Sequence, residues 1–291
     1  MELPQEPVVP ISVGIPACHR VQKLRTTLRR VLNCNPLPSE IIVHLDGNNA
    51  EILQLLESEF PQVLLLHSSE GGQGPGGARN RLAEAASFDW LANFDDDSFP
   101  CEPTFFEKAW MLIQAHPDVA VISGSTEEEN LEPGSLWLQA VYPGNCHLLN
   151  REWFFRTAGY TPLPVAYNME EVDVSLQLHQ LGGLCIQAAD LRVIHDHPPP
   201  QREAPHIQVG MLLNTTLFPI LRYPVAGFPH AFGSVVRRFC RTIANRDFGV
   251  LTQFLIQVPS FIGKHMHRRC PVSPETLVSW LHLRRCPVKV R

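Results

Sequence analysis

Apolar positions along the first half of the chain fall into two alternating patterns. Short runs rich in Val, Ile and Leu at 8–15, 41–45, 63–66, 90–94 and 119–123 predict buried strands. Between them, Val21, Leu24, Leu28, Val31 and Leu32 are spaced as one face of a helix over 21–32, and helices are predicted over 52–60, 78–86 and 104–116. Strands and helices alternating in this way indicate βαβ units, with a mainly parallel sheet covered on both faces.

Beyond Ser123 the alternation weakens. An acidic loop is predicted at 127–132, an extended stretch at 136–149, and a short helix at 152–158 ended by Gly159. A helix over 168–181 stops at Gly182-Gly183, short strands follow at 184–188 and 191–195, and Pro198-Pro199-Pro200 breaks the chain. From His206 onward the pattern is helical, near 207–221, 232–245 and 250–267, with a last helix opening at Ser273-Pro274-Glu275. The expected organisation is an α/β domain over 1–204 and a helical region over 205–291.

Charge separates these parts further. The net charge is −5, yet residues 1–221 carry 12 Lys and Arg against 27 Asp and Glu, whereas residues 222–291 carry 12 against two. The tail interleaves its arginines with apolar residues, as in Val235-Val236-Arg237-Arg238-Phe239, which suits helices lying on an anionic membrane surface. It suits equally well helices docked on the α/β body with arginines outward, or a homodimer. Nucleic acid is a third possibility for the basic residues, but no nucleic-acid-binding signature accompanies them, and no nucleic-acid partner is expected. Eight cysteines stand singly with no C-x-x-C pair, and no secretory leader or membrane-spanning run is read. The expected location is cytoplasmic, with a peripheral position at the inner face of the membrane as its variant.

In an open parallel sheet, ligands bind beyond the carboxyl ends of the strands. Four of these ends are loaded with polar residues: Pro16-Ala17-Cys18-His19-Arg20, Asp46-Gly47, a glycine-rich loop from Glu70 to Gly77 leading to Ala78-Arg79-Asn80, and Asp95-Asp96-Asp97. Three adjacent aspartates repel one another unless donors or a cation neutralise them. Mg²⁺ or Mn²⁺ does so while taking phosphate oxygens as its remaining ligands; a solvated acidic turn is the plainer alternative. The glycine loop lacks both Gly-Lys-Ser/Thr and the G-x-G-x-x-G spacing, so it is neither phosphate loop nor dinucleotide turn.

Glu170-Glu171-Val172-Asp173 opens a helix, where Asn168 and Glu171 have capping-box spacing and acids complement the helix dipole. A second set of carboxylates apart from the metal acids is also what a transferase needs to deprotonate an acceptor hydroxyl. His195-Asp196-His197 follows a short strand, and one imidazole there could serve a metal.

In this order, from Val13-Gly14-Ile15-Pro16 through Asp46, Ala78-Arg79-Asn80, the aspartate triplet and Glu170-Glu171-Val172-Asp173 to the late histidine strand, the motifs resemble those of inverting family 2 glycosyltransferases over roughly residues 8–200. The helical tail is similar to that of rhamnosyltransferases in the family. The resemblance implies the GT-A nucleotide-diphospho-sugar transferase fold, a Rossmann-like mixed sheet with a helical C-terminal appendage. It implies a nucleoside-diphosphate sugar as donor, a glycan or lipid-linked acceptor, and Mn²⁺ or Mg²⁺ as cofactor. The family's D-x-D motif falls on Asp95 and Asp97, with Asp97 as metal ligand and Asp95 near the ribose. Pro16, Arg20, Asp46, Arg79 and Asp96 would line the nucleotide site, and His195 matches the metal-supporting histidine better than His197.

The family's base lies in a Glu-Asp pair preceding Val-Asp, and Glu171 stands at that position with one extra methylene; Glu170 and Asp173 are its rivals. The Gln-x-x-Arg-Trp motif of processive synthases is absent, which favours transfer of one or a few sugars. A phosphatase of the haloacid-dehalogenase type also uses D-x-D, but after the first strand of its core, whereas Asp95 follows the fourth predicted strand here. A non-catalytic partner that binds a nucleotide-sugar is the remaining alternative. Trp137, His147 and the 160–167 loop are candidates for acceptor contact or for the core.

Overall fold

The computed structural model describes residues 7–126, 128–165, 167, 169–196 and 204–290. Its first half contains β1 (Val8–Ala17), α1 (Val21–Leu32), β2 (Leu37–Asp46), α2 (Ala50–Glu59), β3 (Leu64–Ser68), α3 (Gly74–Ala85), β4 (Trp90–Phe94), β5 (Ser98–Pro100), α4 (Phe105–Ala115) and β6 (Val119–Thr126). Then come β7 (Leu136–Gln139), β8 (Cys146–Asn150), α5 (Arg151–Phe155), α6 (Glu170–Gln180) and β9 (Leu184–His195). The C-terminal region adds α7 (Pro205–Arg222), α8 (Phe228–Ala244), α9 (Phe248–His265), α10 (Pro274–Arg285) and β10 (Val288–Lys289).

The strands form one sheet in the order β10-β7-β9-β6-β8-β4-β1-β2-β3, with β5 pairing β9 off this path. The β3-β2-β1-β4 half is parallel, as the βαβ pattern predicts. The other half is mixed: β8 runs antiparallel to both β4 and β6, and β5 and β7 run antiparallel to β9. No described helix separates β6, β7 and β8, and antiparallel neighbours need no helical crossover.

Alternation along the strands fills two cores. Ile41, Val43 and Leu45 of β2 pack on the side of α1, α2 and α4, while Ile42 faces Leu82 and Ala83 of α3 on the other. The predicted strands at 184–188 and 191–195 are one strand, β9, whose pairing with β6 shifts register between Ser123 and Ser125. The stretch predicted as extended over 136–149 is two strands separated by a loop over 140–145.

The C-terminal helices share a core with the sheet domain. Leu217, Leu221, Leu277 and Trp280 cluster with Ala140, Leu163, Met169 and Leu176. Trp280 Nε1 donates to the Ala140 carbonyl at 2.8 Å, and β10 extends the sheet by pairing with β7. The chain therefore returns to the sheet that it leaves after His195.

Candidate active site

The parallel strands β1, β2 and β4 end on one edge of the sheet, and their polar termini meet there. Asp46, the last residue of β2, accepts hydrogen bonds from the backbone N–H groups of Gln73 (3.2 Å) and Gly74 (2.8 Å). It thereby satisfies amides at the start of α3, which would otherwise lack partners. α3 begins at Gly74, four residues before the predicted start, because Pro75 suits the first turn of a helix. Gly74 has φ +65°, and a Cβ there would lie 1.9 Å from the Leu163 carbonyl oxygen. Pro16 is half-buried near the end of β1, in register with His44 of β2.

The aspartate triplet follows β4 and divides between two arginines. Arg20 donates from Nη2 to Asp96 and from Nη1 to Asp97, and its Nε lies 3.2 Å from Asp96 Oδ2. Burial pushes the Asp96 carboxyl up to about 7 although Arg20 opposes the shift. The Thr27 hydroxyl donates to the Asp96 carbonyl at 3.0 Å, tying the turn to α1.

Asp95 turns instead towards Arg79, whose Nη2 donates to Asp95 Oδ1 at 2.6 Å and to the Gly144 carbonyl at 3.1 Å. Nη1 of the same guanidinium reaches Glu170 Oε2 at 2.5 Å and Glu171 Oε1 at 3.3 Å. Arg79 is buried, and this single side chain bridges the aspartate triplet and the carboxylates of α6. Burial alone would lower its pKa, but Glu170, Asp95 and Glu171 together raise it, so its charge is secure.

The three candidate bases have different environments. Asp173 is buried in an ion pair with Arg222 of α7 and also accepts from the Thr161 hydroxyl at 3.2 Å. The Glu170 side chain is 3% exposed against 21% for Glu171, so Glu171 alone of the three reaches solvent to a useful degree. Burial raises the pKa of both glutamates, while Arg79 counteracts it. Gly144 packs directly on this carboxylate: a Cβ there would lie 2.2 Å from Glu171 Oε1. Sequence reasoning missed Gly144, since Pro143-Gly144 lies inside the stretch predicted as extended over 136–149. Asn168, the proposed cap, lies outside the described residues; the residue preceding α6 is Met169, which makes no side-chain cap.

His195 arrives from the far end of the chain. Antiparallel pairing sets His195 opposite Ser98, one residue beyond Asp97, and brings its Nε2 to 3.5 Å from Asp97 Oδ1. Hydrogen bonding to Asp97 raises the imidazole pKa although burial opposes it. Asp95, Asp97 and His195 each offer a donor atom, and these atoms all lie within 4.8 Å of one another. Two carboxylates and an imidazole suit Mn²⁺ or Mg²⁺, so the residues present fit a divalent cation. His197 lies outside the described residues.

The aromatic candidates divide differently. His147 and Tyr160 are buried: the Pro143 carbonyl can only accept from His147 Nδ1–H (3.0 Å), which leaves Nε2 to accept from the Tyr160 hydroxyl (3.2 Å). The Tyr142 hydroxyl lies 2.9 Å from that of Tyr160, and burial lowers the His147 pKa to about 3. This is a core network behind the site. Trp137 lies in β7, in register with Lys289 of β10.

The mixed sheet with acidic residues after β4 defines the GT-A fold class. Its solved relatives include a mannosyltransferase, PcManGT from Pyrobaculum calidifontis in complex with GDP-Man and Mn²⁺, with a TM-score of 0.58 and 12% identity over 95% of this chain and 87% of that one. TarS 1–349 of S. aureus in complex with UDP-GlcNAc gives a TM-score of 0.58 and 14% identity over the same shares. The family description for glycosyl transferase family 2 matches residues 12–171, and the chain belongs to that family. A curated relative, the glucosyl-dolichyl phosphate glucuronosyltransferase of Haloferax volcanii, is 25% identical over 121 residues, which span 40% of this chain and 38% of that protein.

Proposed function

We propose that the protein is an inverting glycosyltransferase that moves one sugar from a nucleoside-diphosphate sugar to a hydroxyl group of a glycan or lipid-linked acceptor. The observation that supports this reading is the bridge made by Arg79 between Asp95 and Glu171: one guanidinium joins a carboxylate suited to act as base to a member of the group that could hold a cation. Membership of family 2 and the nucleotide-sugar complexes of the two structural relatives support the choice of donor. A cytoplasmic location fits the eight cysteines, which are free thiols.

In this mechanism Pro16, Arg20, Asp46, Arg79, Asp95 and Asp96 surround the nucleotide, with Asp95 near the ribose. Asp97 and His195 would hold Mn²⁺ or Mg²⁺, which when bound would supply positive charge for the diphosphate leaving group. The Glu171 carboxylate takes the proton of the acceptor hydroxyl. The acceptor oxygen then forms its bond to the anomeric carbon as the bond to the diphosphate oxygen breaks, and that electron pair leaves with the nucleoside diphosphate. One displacement from the opposite face inverts the anomeric configuration. Arg79 holds the base in place, and its positive charge favours the ionised form that burial disfavours.

Thermal stabilisation by UDP, GDP, dTDP and CDP, each with and without Mn²⁺, tests the donor site, because a ligand of the native state raises apparent stability. The expected result is a metal-dependent rise in Tm with one diphosphate that is lost in Asp97→Ala. No rise with any of them would refute a nucleotide-sugar site. Retained binding without transfer or donor hydrolysis would point to the non-catalytic role.

A further inference from the structure

The α8–α9 hairpin carries a surface that the reaction site does not use. It is anchored on α7, where Val209, Leu212 and Leu213 pack against Val250, Leu251 and Phe254. Other faces of the same helices are apolar and open to solvent. Phe232 is 71% exposed, and the exposed Val236 and Ile243 follow at intervals of four and seven residues, which places them on one stripe of α8. On α9, Phe248 (61%) and Leu255 (58%) are again seven residues apart, with Ile256 (72%) next to them. Scattered apolar residues on a surface need no explanation, but stripes of this kind mark interaction sites.

The surrounding chemistry selects the occupant. α9 has no charged residue between Asp247 and Lys264, yet no described helix is long and apolar enough to cross a membrane. α8, in contrast, carries the exposed Arg237 and Arg241 beside its apolar stripe, the pattern of a helix that lies along an interface. Residues 222–291 carry 12 Lys and Arg but only Asp247 and Glu275 as acids. Arg237, Arg241 and Arg246 are exposed on α8 and in the turn, where Ile243 and Phe248 flank Arg246. Two copies meeting through this face would bring like charges together with almost no carboxylates to pair them. A bilayer of anionic lipid offers an apolar boundary for the Phe, Ile and Leu side chains and phosphates for the arginines.

We propose that the α8–α9 hairpin docks the protein on an anionic lipid surface, with Phe232, Ile243, Phe248, Leu255 and Ile256 at the headgroup–acyl boundary and the arginines on the phosphates. The docking is independent of the transfer chemistry, so the two stand or fall separately.

Flotation of the full chain tests it, using vesicles of phosphatidylcholine alone or with one third phosphatidylglycerol, at low and high salt. The expected result is binding to the anionic vesicles that weakens as salt rises, with a loss of about fivefold in partitioning for each of Arg237→Gln and Arg241→Gln. The pair Phe232→Glu with Ile256→Glu abolishes flotation and leaves the melting curve unchanged, since both side chains are exposed. Failure of the wild-type protein to float with anionic vesicles at low salt overturns the proposal, as does undiminished flotation of the double variant. A dimer seen by light scattering and dissociated by the same variant also overturns it, assigning the face to a second copy of the chain.

Discussion

Asp173 and Arg222 face one another with no exposed surface on either side chain: Arg222 Nη2 donates to Asp173 Oδ2 at 3.2 Å and its Nε bonds Oδ1. Arg222 Nη1 also reaches the Arg268 carbonyl at 2.9 Å. One guanidinium thus fastens α6, the helix that presents Glu171, to α7 and the segment after α9. Removing one member of a buried pair leaves an uncompensated charge. Arg222→Met is expected to lower unfolding free energy by about 3–5 kcal/mol in urea titration. Arg222→Met combined with Asp173→Asn is expected to recover most of that loss, because no charge then remains unpaired.

Trp280 makes the same connection through packing. It is buried among residues of both regions and hydrogen-bonds the Ala140 carbonyl. Trp280→Ala is expected to cost about 3–5 kcal/mol, and a chain ending at residue 204 is expected to be insoluble because Leu163, Met169 and Leu176 lose their cover. Soluble expression of that fragment with a cooperative melt would show that the sheet domain stands without its tail.

Gly144 supplies a test of the base position. Its missing side chain is where the Glu171 carboxylate sits, so Gly144→Ala should push that carboxylate away from the Arg79 bridge. Misplacing a catalytic group by about 1 Å is worth roughly a hundredfold, and a fall of that size in kcat is expected with little change in donor affinity. Glu171→Gln should cost roughly 10²–10⁴-fold in turnover and leave nucleotide-diphosphate binding by calorimetry intact. A Glu171→Gln enzyme with normal turnover would sink the base assignment.

What was legible in the sequence follows from where the information is local. The α1 helix and the β4 strand stand where the periodicity puts them, over 21–32 and 90–94, because a single buried face dictates each pattern. The aspartate triplet was visible because acids rarely follow a buried strand without a reason. Partnerships between distant residues were not visible. Nothing near Arg79 announces that it joins Asp95 to Glu171, and nothing near Arg222 announces Asp173. β10 escaped detection because a two-residue strand has no periodicity and exists only by pairing with β7. For His147 and Tyr160 the sequence left acceptor contact and core as open alternatives, because the buried network that satisfies them is assembled from separate segments.

The environment of Glu171 gives a last prediction, in its pH dependence. Burial raises this carboxyl above its ordinary value of 4.5 although Arg79 counteracts it. The base works only when ionised, so the acid limb of kcat/KM should lie above 4.5 and fall tenfold per pH unit below its midpoint. Arg79→Gln removes the opposing positive charge and should move that midpoint higher still. The same shift has a signature in stability. Between 4.5 and the raised folded values, the native state keeps protons on Glu170 and Glu171 that the unfolded chain has released. The unfolded state therefore binds fewer protons, and these two groups make unfolding free energy decline as pH rises across that window. Urea titrations at pH 5 and pH 8 should show the decline for the wild type and a smaller one for Glu170→Gln with Glu171→Gln. An acid limb at or below 4.5 would mean that Glu171 titrates as a solvated carboxylate and that another group sets the rate.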